Sequence, residues 1–371
     1  MADQEGRGIR CTPTRWRLIA SGVLLTACPL LVLLFERFGE ALSGGYRPFS
    51  KGLLSLQATV ASVAPFALWD FLVVGFTLAA LFTLVRHVVR RRPLLPWLSV
   101  VLLVSSATLF LFVSGWALNH YAPSLANEIG LEVGVYTDDE LTAATRHYLE
   151  RAAALAPSVP RGEDGELLRQ DFYELARIAG GSYRELSESY GIFEGSQVPV
   201  KALLLLGEPL LLSGHVGIFF SPTGESSVPV NCAVADLPFT MCHEAAHRLA
   251  IAREQQANFA AFLACTTSDD VRFSYSGYYS AFSFCYGALR RSDPDRAARL
   301  LDEVRTSGLD AGVGLVLADL VATGRHYDAY EGWFGRIGSA VNDGYLRSFG
   351  EREGVKSYGL VVDYLIAWDR R

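Results

Sequence analysis

Residues 238–262 read PFTMCHEAAHRLAIAREQQANFAAF. Within them His243-Glu244-Ala245-Ala246-His247 places two imidazoles at positions i and i+4. In a helix those positions stack on one face, so both rings can reach a single Zn2+ while Glu244 faces a water on the metal. Zinc lowers the pKa of such a water, and Glu244 is the candidate general base that takes its proton. A catalytic zinc needs a third protein ligand, and Glu254 is the candidate. A straight helix from His243 would carry Glu254 about 10 Å past His247, too far to share an ion. The helix is therefore expected to break between Arg248 and Arg253, with a second helix from Glu254 to Cys265 presenting the carboxylate. One turn further on, Asn258 is placed to accept a hydrogen bond from a ligand imidazole and fix its orientation.

Working outward, Leu203 to Leu206, Pro209 to Leu212 and Val216 to Phe220, broken by Gly207, Gly214 and Gly217, read as short strands with turns, and Val228 to Ala233 as another. Asp236 fits an N-cap ahead of Pro238. Upstream, Thr137-Asp138-Asp139-Glu140 has the form of a capping box opening a helix to Leu155, and a second helix is expected over Leu167 to Ile178, both near the membrane end. From Ala288 onward the pattern is helical, including Ala297 to Val304, Gly312 to Thr323 and Gly354 to Trp368. The class is α+β, rich in helix with a small sheet.

The N-terminal third is of another kind. The 371 residues are 50% hydrophobic and 19% charged, too apolar for a wholly soluble chain and too charged for a membrane bundle. Three apolar runs, Leu18 to Phe35, Phe66 to Val85 and Trp97 to Leu118, have the length of membrane spans. Arg7, Arg10, Arg15 and Arg17 precede the first, and Arg86, Arg90, Arg91 and Arg92 lie between the second and third. Basic loops stay on the cytoplasmic side, so residues 1–119 are expected to be a three-span anchor in the plasma membrane and residues 120–371 an extracytoplasmic domain. The competing reading is a signal peptide over Leu18 to Phe35, cleaved near Ala41 or Ser43. Asp70 is the one formal charge inside the spans, at an end where it reaches headgroups, which disfavours a transporter. A net charge of -6 argues against nucleic acid.

Cys232, Cys242, Cys265 and Cys285 fall in the external part, where two disulfides are possible, while Cys11 and Cys28 do not. Among the other histidines, His87 belongs to the basic loop, His120 to the membrane exit, His147 to a helix and His215 to a Gly-rich turn; His326 is a candidate for stabilising a transition state. The run from Phe273 to Tyr279 reads as core packing rather than a substrate groove.

The quoted stretch resembles the membrane-anchored bacterial family called domain of unknown function 3810. So do Pro65-Phe66 with Asp70, Thr223-Gly224-Glu225, Tyr275-Ser276-Gly277-Tyr278, Asn342-Asp343-Gly344-Tyr345-Leu346 and Glu353-Gly354-Val355-Lys356-Ser357-Tyr358-Gly359. The resemblance implies a zinc metallopeptidase with a zincin-like domain. It is more distantly similar to zincins whose Glu-x-x-Ala-Asp helix supplies the third ligand, here Glu254-Gln255-Gln256-Ala257-Asn258. Ala250 stands where the family leads one to expect glycine. Tyr345 and Tyr358 recur in family-like segments and are candidates for oxyanion stabilisation, with a hydrogen-bonded core role favoured over it. In zincins an edge strand ahead of the zinc helix aligns the substrate, which by analogy assigns that role to Val228 to Asn231 and makes a peptide or protein the substrate. The alternative is a noncatalytic anchor or sensor with a structural or vestigial zinc, in which Cys242 or His215 closes the site as fourth ligand.

Overall fold

A computed structural model describes residues 12–349 and 360–371. Helix α1, Pro13–Ala61, starts at Thr12, whose hydroxyl caps its first turn, and is interrupted at Phe38 (φ -130°, ψ 16°). It is followed by α2, Leu68–Val89, and α3, Leu95–Gly115, which passes into a 3-10 turn, Ala117–Tyr121. All three helices are long and apolar enough to cross a membrane. The first is much longer than the apolar run that suggested it. Its second half carries Arg47 and Lys51 and lies on the rest of the chain: Arg47 bonds Glu128 at 2.6 Å, and Lys51 donates to the carbonyl of Ile192 at 2.6 Å. Ala41 and Ser43 lie inside this helix, with Ser43 buried, rather than at an open cleavage site.

The remaining helices are α4, Leu125–Ile129; α5, Asp138–Leu155; α6, Phe172–Gly181; α7, Arg184–Ser189; α8, Gly207–Leu212; α9, Leu237–Arg248; α10, Glu254–Thr266; α11, Val271–Ser292; α12, Pro294–Val304; α13, Asp310–Asp328; α14, Trp333–Ser348; and α15, Val361–Asp369. The capping box at Thr137 forms, with Thr137 and Glu140 satisfying each other's backbone N–H. α5 packs on α11 and α13, and α6 on α9 and β1, because their apolar faces complete the core that runs from Leu125 to Ala367. α6 also starts later than its periodicity implies, where Asp171 caps Glu174 at 2.8 Å. Phe273, Tyr275 and Tyr279 of α11 are core, as expected.

Three short strands, β1 (Lys201–Leu203), β2 (Ile218–Phe220) and β3 (Glu225–Pro229), form a sheet in the order β1-β3-β2. β1 runs parallel to β3 with Ala202 opposite Val228, and β2 antiparallel with Phe219 opposite Ser226. The strand expectations hold only in part. β1 ends at Leu203, so Leu204 to Leu206 lie outside it, and β3 ends at Pro229, so residues 230–233 lie outside it. Residues 209–212 belong to helix α8, closed by the N–H of Leu210 on the carbonyl of Leu206 at 2.9 Å and that of Ser213 on Pro209 at 3.1 Å. The strand near Val228 is central and wholly buried rather than an edge. β1's outer side is covered by Phe66 and Ala67, whose N–H donates to Ala202 at 3.0 Å, leaving β2 as the open edge.

The link between sheet and apolar helices is made by charged side chains bonded to backbone groups, and it is reciprocal. Asp70, in the first turn of α2, is fully buried and accepts from the backbone N–H groups of Leu204, Leu205 and Leu206 at 2.9, 2.8 and 3.0 Å, so it reaches into the protein and not to headgroups. Glu225 of β3 accepts from the N–H groups of Leu68 and Trp69 at 2.8 and 3.1 Å, sitting on the positive end of α2. Lys201 donates to the carbonyls of Ala61 and Ala64 that end α1. Asp70→Ala would strand three donors, and we expect it to lower unfolding stability by about 2 kcal/mol. Thermal unfolding in detergent checks this; an unchanged midpoint would remove Asp70 from the link.

Candidate metal centre

α9 opens with Pro238 at its second position and Asp236 at the N-cap, as expected, but the Asp236 side chain makes no cap hydrogen bond. Its carboxyl is buried and turned towards Tyr327, and burial pushes its pKa up to about 6. The helix ends at Arg248 as the spacing requires. The N–H of Ala250 bonds the carbonyl of His247 at 3.0 Å and that of Ile251 the carbonyl of Ala246 at 3.3 Å, a Schellman closure. That closure needs a left-handed residue, and Ala250 supplies it at φ 64°. A Cβ in this conformation is unfavourable. Ala250→Gly is therefore expected to raise stability by about 1 kcal/mol without altering metal content. A fall in the unfolding midpoint would show that the buried methyl matters more than the strain. Arg253 then runs extended (φ -75°, ψ 133°) and α10 begins at Glu254.

The two helices bring the three sequence candidates together. Ligand-type atoms of His243, His247 and Glu254 all lie within 4.8 Å of one another, and all three residues are buried. Glu254 Oε2 is 3.2 Å from His243 Nε2 and 3.5 Å from His247 Nε2, and the two Nε2 atoms are 3.1 Å apart. Their other nitrogens are engaged: His243 Nδ1 meets Asn258 Oδ1 at 2.8 Å, as anticipated, and His247 Nδ1 the carbonyl of Ile251 at 2.8 Å. A carbonyl only accepts, so His247 Nδ1 carries the proton and its Nε2 presents a lone pair. The same holds for His243 with Asn258 Oδ1 as acceptor. With both rings neutral, three lone pairs thus converge on one point, and Glu254 Oε2 then has no donor to bond. Such a convergence is repulsive unless a cation or a proton lies between the donors. Without metal a proton fills the role: burial alone would depress the His247 imidazole, but the Glu254 charge and hydrogen bond lift it to about 9. The same imidazoles outweigh burial at Glu254 and hold it well below the usual carboxylate range.

Glu244 stands beside this point with Oε2 unpartnered, and burial pushes its pKa up to about 7. Ser226 of β3 fixes its backbone by donating to the Glu244 carbonyl at 2.6 Å. A cavity of about 420 Å³ opens from the site, with His215, Gly217, His243, Glu244, Ser339 and Asn342 in its walls. Gly217, just before β2, passes so close to Glu244 that a Cβ there would collide with the carboxylate. Sequence reasoning missed that role, reading Gly217 as a turn. It also missed Trp116, at the end of α3, whose indole N–H donates to the His247 carbonyl at 2.9 Å and whose ring packs edge-on to the imidazole.

The other candidates lie elsewhere. Cys242 Sγ lies 3.5 Å from Ser182 Oγ and neighbours the Cys265 thiol, and Cys232, Cys242, Cys265 and Cys285 are buried free thiols, so neither of the two possible disulfides is present. His215 faces the cavity, bonded to Ser213 Oγ at 2.9 Å, outside the three-ligand cluster. Tyr345 bonds His120 at 3.1 Å instead of lining the cavity, Tyr358 and Cys11 fall outside the described residues, and His326 lines a different cavity beside Asp319.

The family described as "Protein of unknown function (DUF3810)" matches residues 46–366. The chain belongs to that family. No curated protein and no solved structure matches it. Several of the family-like segments quoted above fall at mechanical points of the fold, while Glu353 to Gly359 lie outside the described residues. Asp70 and Glu225 form the reciprocal link, and Gly224 packs on the backbone of α1 at Leu54 and Ala58. Gly277 lets α11 cross α10, since a Cβ there would come within 2.7 Å of Cys265 Cβ. Asn342 stands at the cavity wall.

Proposed function

We propose that this protein is a membrane-anchored zinc-dependent peptidase. His243, His247 and Glu254 hold the metal and Glu244 is the general base. The observation that carries the reading is the convergence of ligand-type atoms of His243, His247 and Glu254 on one point, with a second carboxylate, Glu244, beside it and a cavity in front. Two imidazoles and a carboxylate suit Zn2+, and a set of three leaves a position open for chemistry, as a structural site does not. When bound, zinc acts as a Lewis acid that polarises a carbonyl and acidifies water. The chain supplies the rest. Glu244 Oε2, poised near neutrality, takes a proton from the attacking water and delivers it to the leaving amine. Asn258 and the Ile251 carbonyl hold both rings in the tautomer that offers Nε2. The open edge of β2, next to Gly217, takes the role earlier given to Val228 to Asn231, adding the substrate backbone as a further strand.

We also propose that the catalytic part is extracytoplasmic. α2 begins and α3 ends at that part, so Arg90, Arg91 and Arg92 lie at the far end of both helices, and clustered arginines stay inside. Asn258→Ala is expected to weaken zinc binding by about 10- to 100-fold while the fold persists; unchanged affinity by competition with a chelator dye would discard its orienting role. The function itself is tested by metal analysis of the purified full chain and a peptide-library digest before and after chelation. Cleavage that disappears with the metal and returns with zinc is the expected result. Zinc retained with no cleavage of any library would leave the noncatalytic sensor instead.

A further inference from the structure

α14 has two faces. One carries Ser339 and Asn342 into the wall of the metal cavity, and Gly338 presses against the carbonyl of Ser213 so closely that a Cβ would clash. The other leaves Trp333, Phe334, Ile337 and Val341 exposed, at 68%, 44%, 50% and 68%. Four large apolar side chains on successive turns of one helix form a patch that a soluble surface does not keep uncovered. The C-terminal end of α14 is tied to the apolar helices directly, and its N-terminal end through α8. At its C-terminal end Tyr345 and Phe349 pack on Phe112 of α3, with ring centroids at 5.9 and 6.2 Å. Towards its N-terminal end Gly335 and Gly338 rest on Leu212 and Ser213, which end α8. The segment leading into α8, Leu204 to Leu206, hangs on Asp70 at the top of α2, where Leu204 and Leu205 are themselves exposed at 47% and 44%. A helix suspended between the tops of α2 and α3 lies at the level where a bilayer ends. Arg336 shares a shallow depression with Trp333, Ile337 and Val341. An aromatic and aliphatic face flanked by arginine is the composition of a helix that rests in the headgroup layer.

We propose that α14 is an interfacial helix: Trp333, Phe334, Ile337 and Val341 seat in the headgroup and upper acyl region of the bilayer that holds α1 to α3, while Arg336 meets lipid phosphate. The occupant is lipid rather than a partner protein because the patch is continuous with the apolar surface of α2 and α3. The same helix walls the metal cavity, so the bilayer braces that wall from behind. The proposal rests on the membrane association of α1 to α3 and not on the metal chemistry.

The test uses the full chain in phosphatidylcholine/phosphatidylglycerol nanodiscs, with a nitroxide on Ile337→Cys and, for comparison, on Val135→Cys, a position 96% exposed in a loop between α4 and α5. Labelled protein without an introduced cysteine gives the background. Accessibility to a water-soluble nickel relaxant is expected to be at least about threefold lower at 337 than at 135, with oxygen accessibility higher. Quenching by bromine-labelled lipid should also be weaker in Trp333→Phe than in the wild type. Equal nickel accessibility at the two positions would overturn the proposal, as would identical lipid quenching of Trp333→Phe and wild type. Either failure leaves zinc content and cleavage where they were.

Discussion

Glu244→Gln should retain zinc and lose peptide hydrolysis by about 10²- to 10⁴-fold, the usual contribution of a positioned general base. The substitution keeps the shape beside Gly217 and removes only the ability to take a proton. Glu244 is no member of the three-ligand cluster, so metal content is expected to match the wild type. The amide is neutral, and Glu244 is a buried carboxylate raised to about 7, so the change also removes a strained charge and should not weaken the fold. Kinetics on a peptide cleaved by the wild type, read together with zinc per chain, decide the matter. Equal turnover by both proteins would strip Glu244 of its role even if zinc were present.

Glu254→Gln should act on the other half of the site, weakening zinc binding by more than about 100-fold, since loss of an outer partner alone commonly costs 10- to 100-fold. The two imidazoles bring no charge to the cation. Glu254 is the one carboxylate in the cluster, and an amide of the same shape leaves a buried dication with less compensation. Activity is then expected to fall with occupancy, and to recover in part when zinc is supplied in large excess. Competition against a chelating dye measures the affinity. Wild-type affinity in Glu254→Gln would remove it from the ligand set.

The cluster of His243, His247 and Glu254 was legible because it depends on local arithmetic. Two histidines four apart on one helix, and a carboxylate too far along a straight axis to join them, required a turn that Ala250 in fact makes at φ 64°. The apolar helices were legible for a similar reason, although length alone concealed that α1 continues past Phe38 to lie on the rest of the chain. What the sequence concealed were long-range partnerships. Asp70 as a bridge, Trp116 against His247 and Gly217 under Glu244 join residues more than 25 positions apart, and no periodicity records such contacts. Strand order was hidden likewise. Val228 is in a strand, but only the pairing of β1 and β2 on either side makes it central. The state of the four thiols was not legible, since residue type and spacing say only that disulfides are possible, and whether a pair bonds depends on the geometry between them.

The most direct measurement is X-ray absorption at the zinc edge on the full chain loaded with one equivalent of zinc. Two imidazole nitrogens and oxygen scatterers at about 2.0 to 2.2 Å, four neighbours in all and no sulfur shell at about 2.3 Å, is the predicted result. A sulfur neighbour, a third imidazole, or failure to retain the metal would contradict the open three-ligand centre of His243, His247 and Glu254.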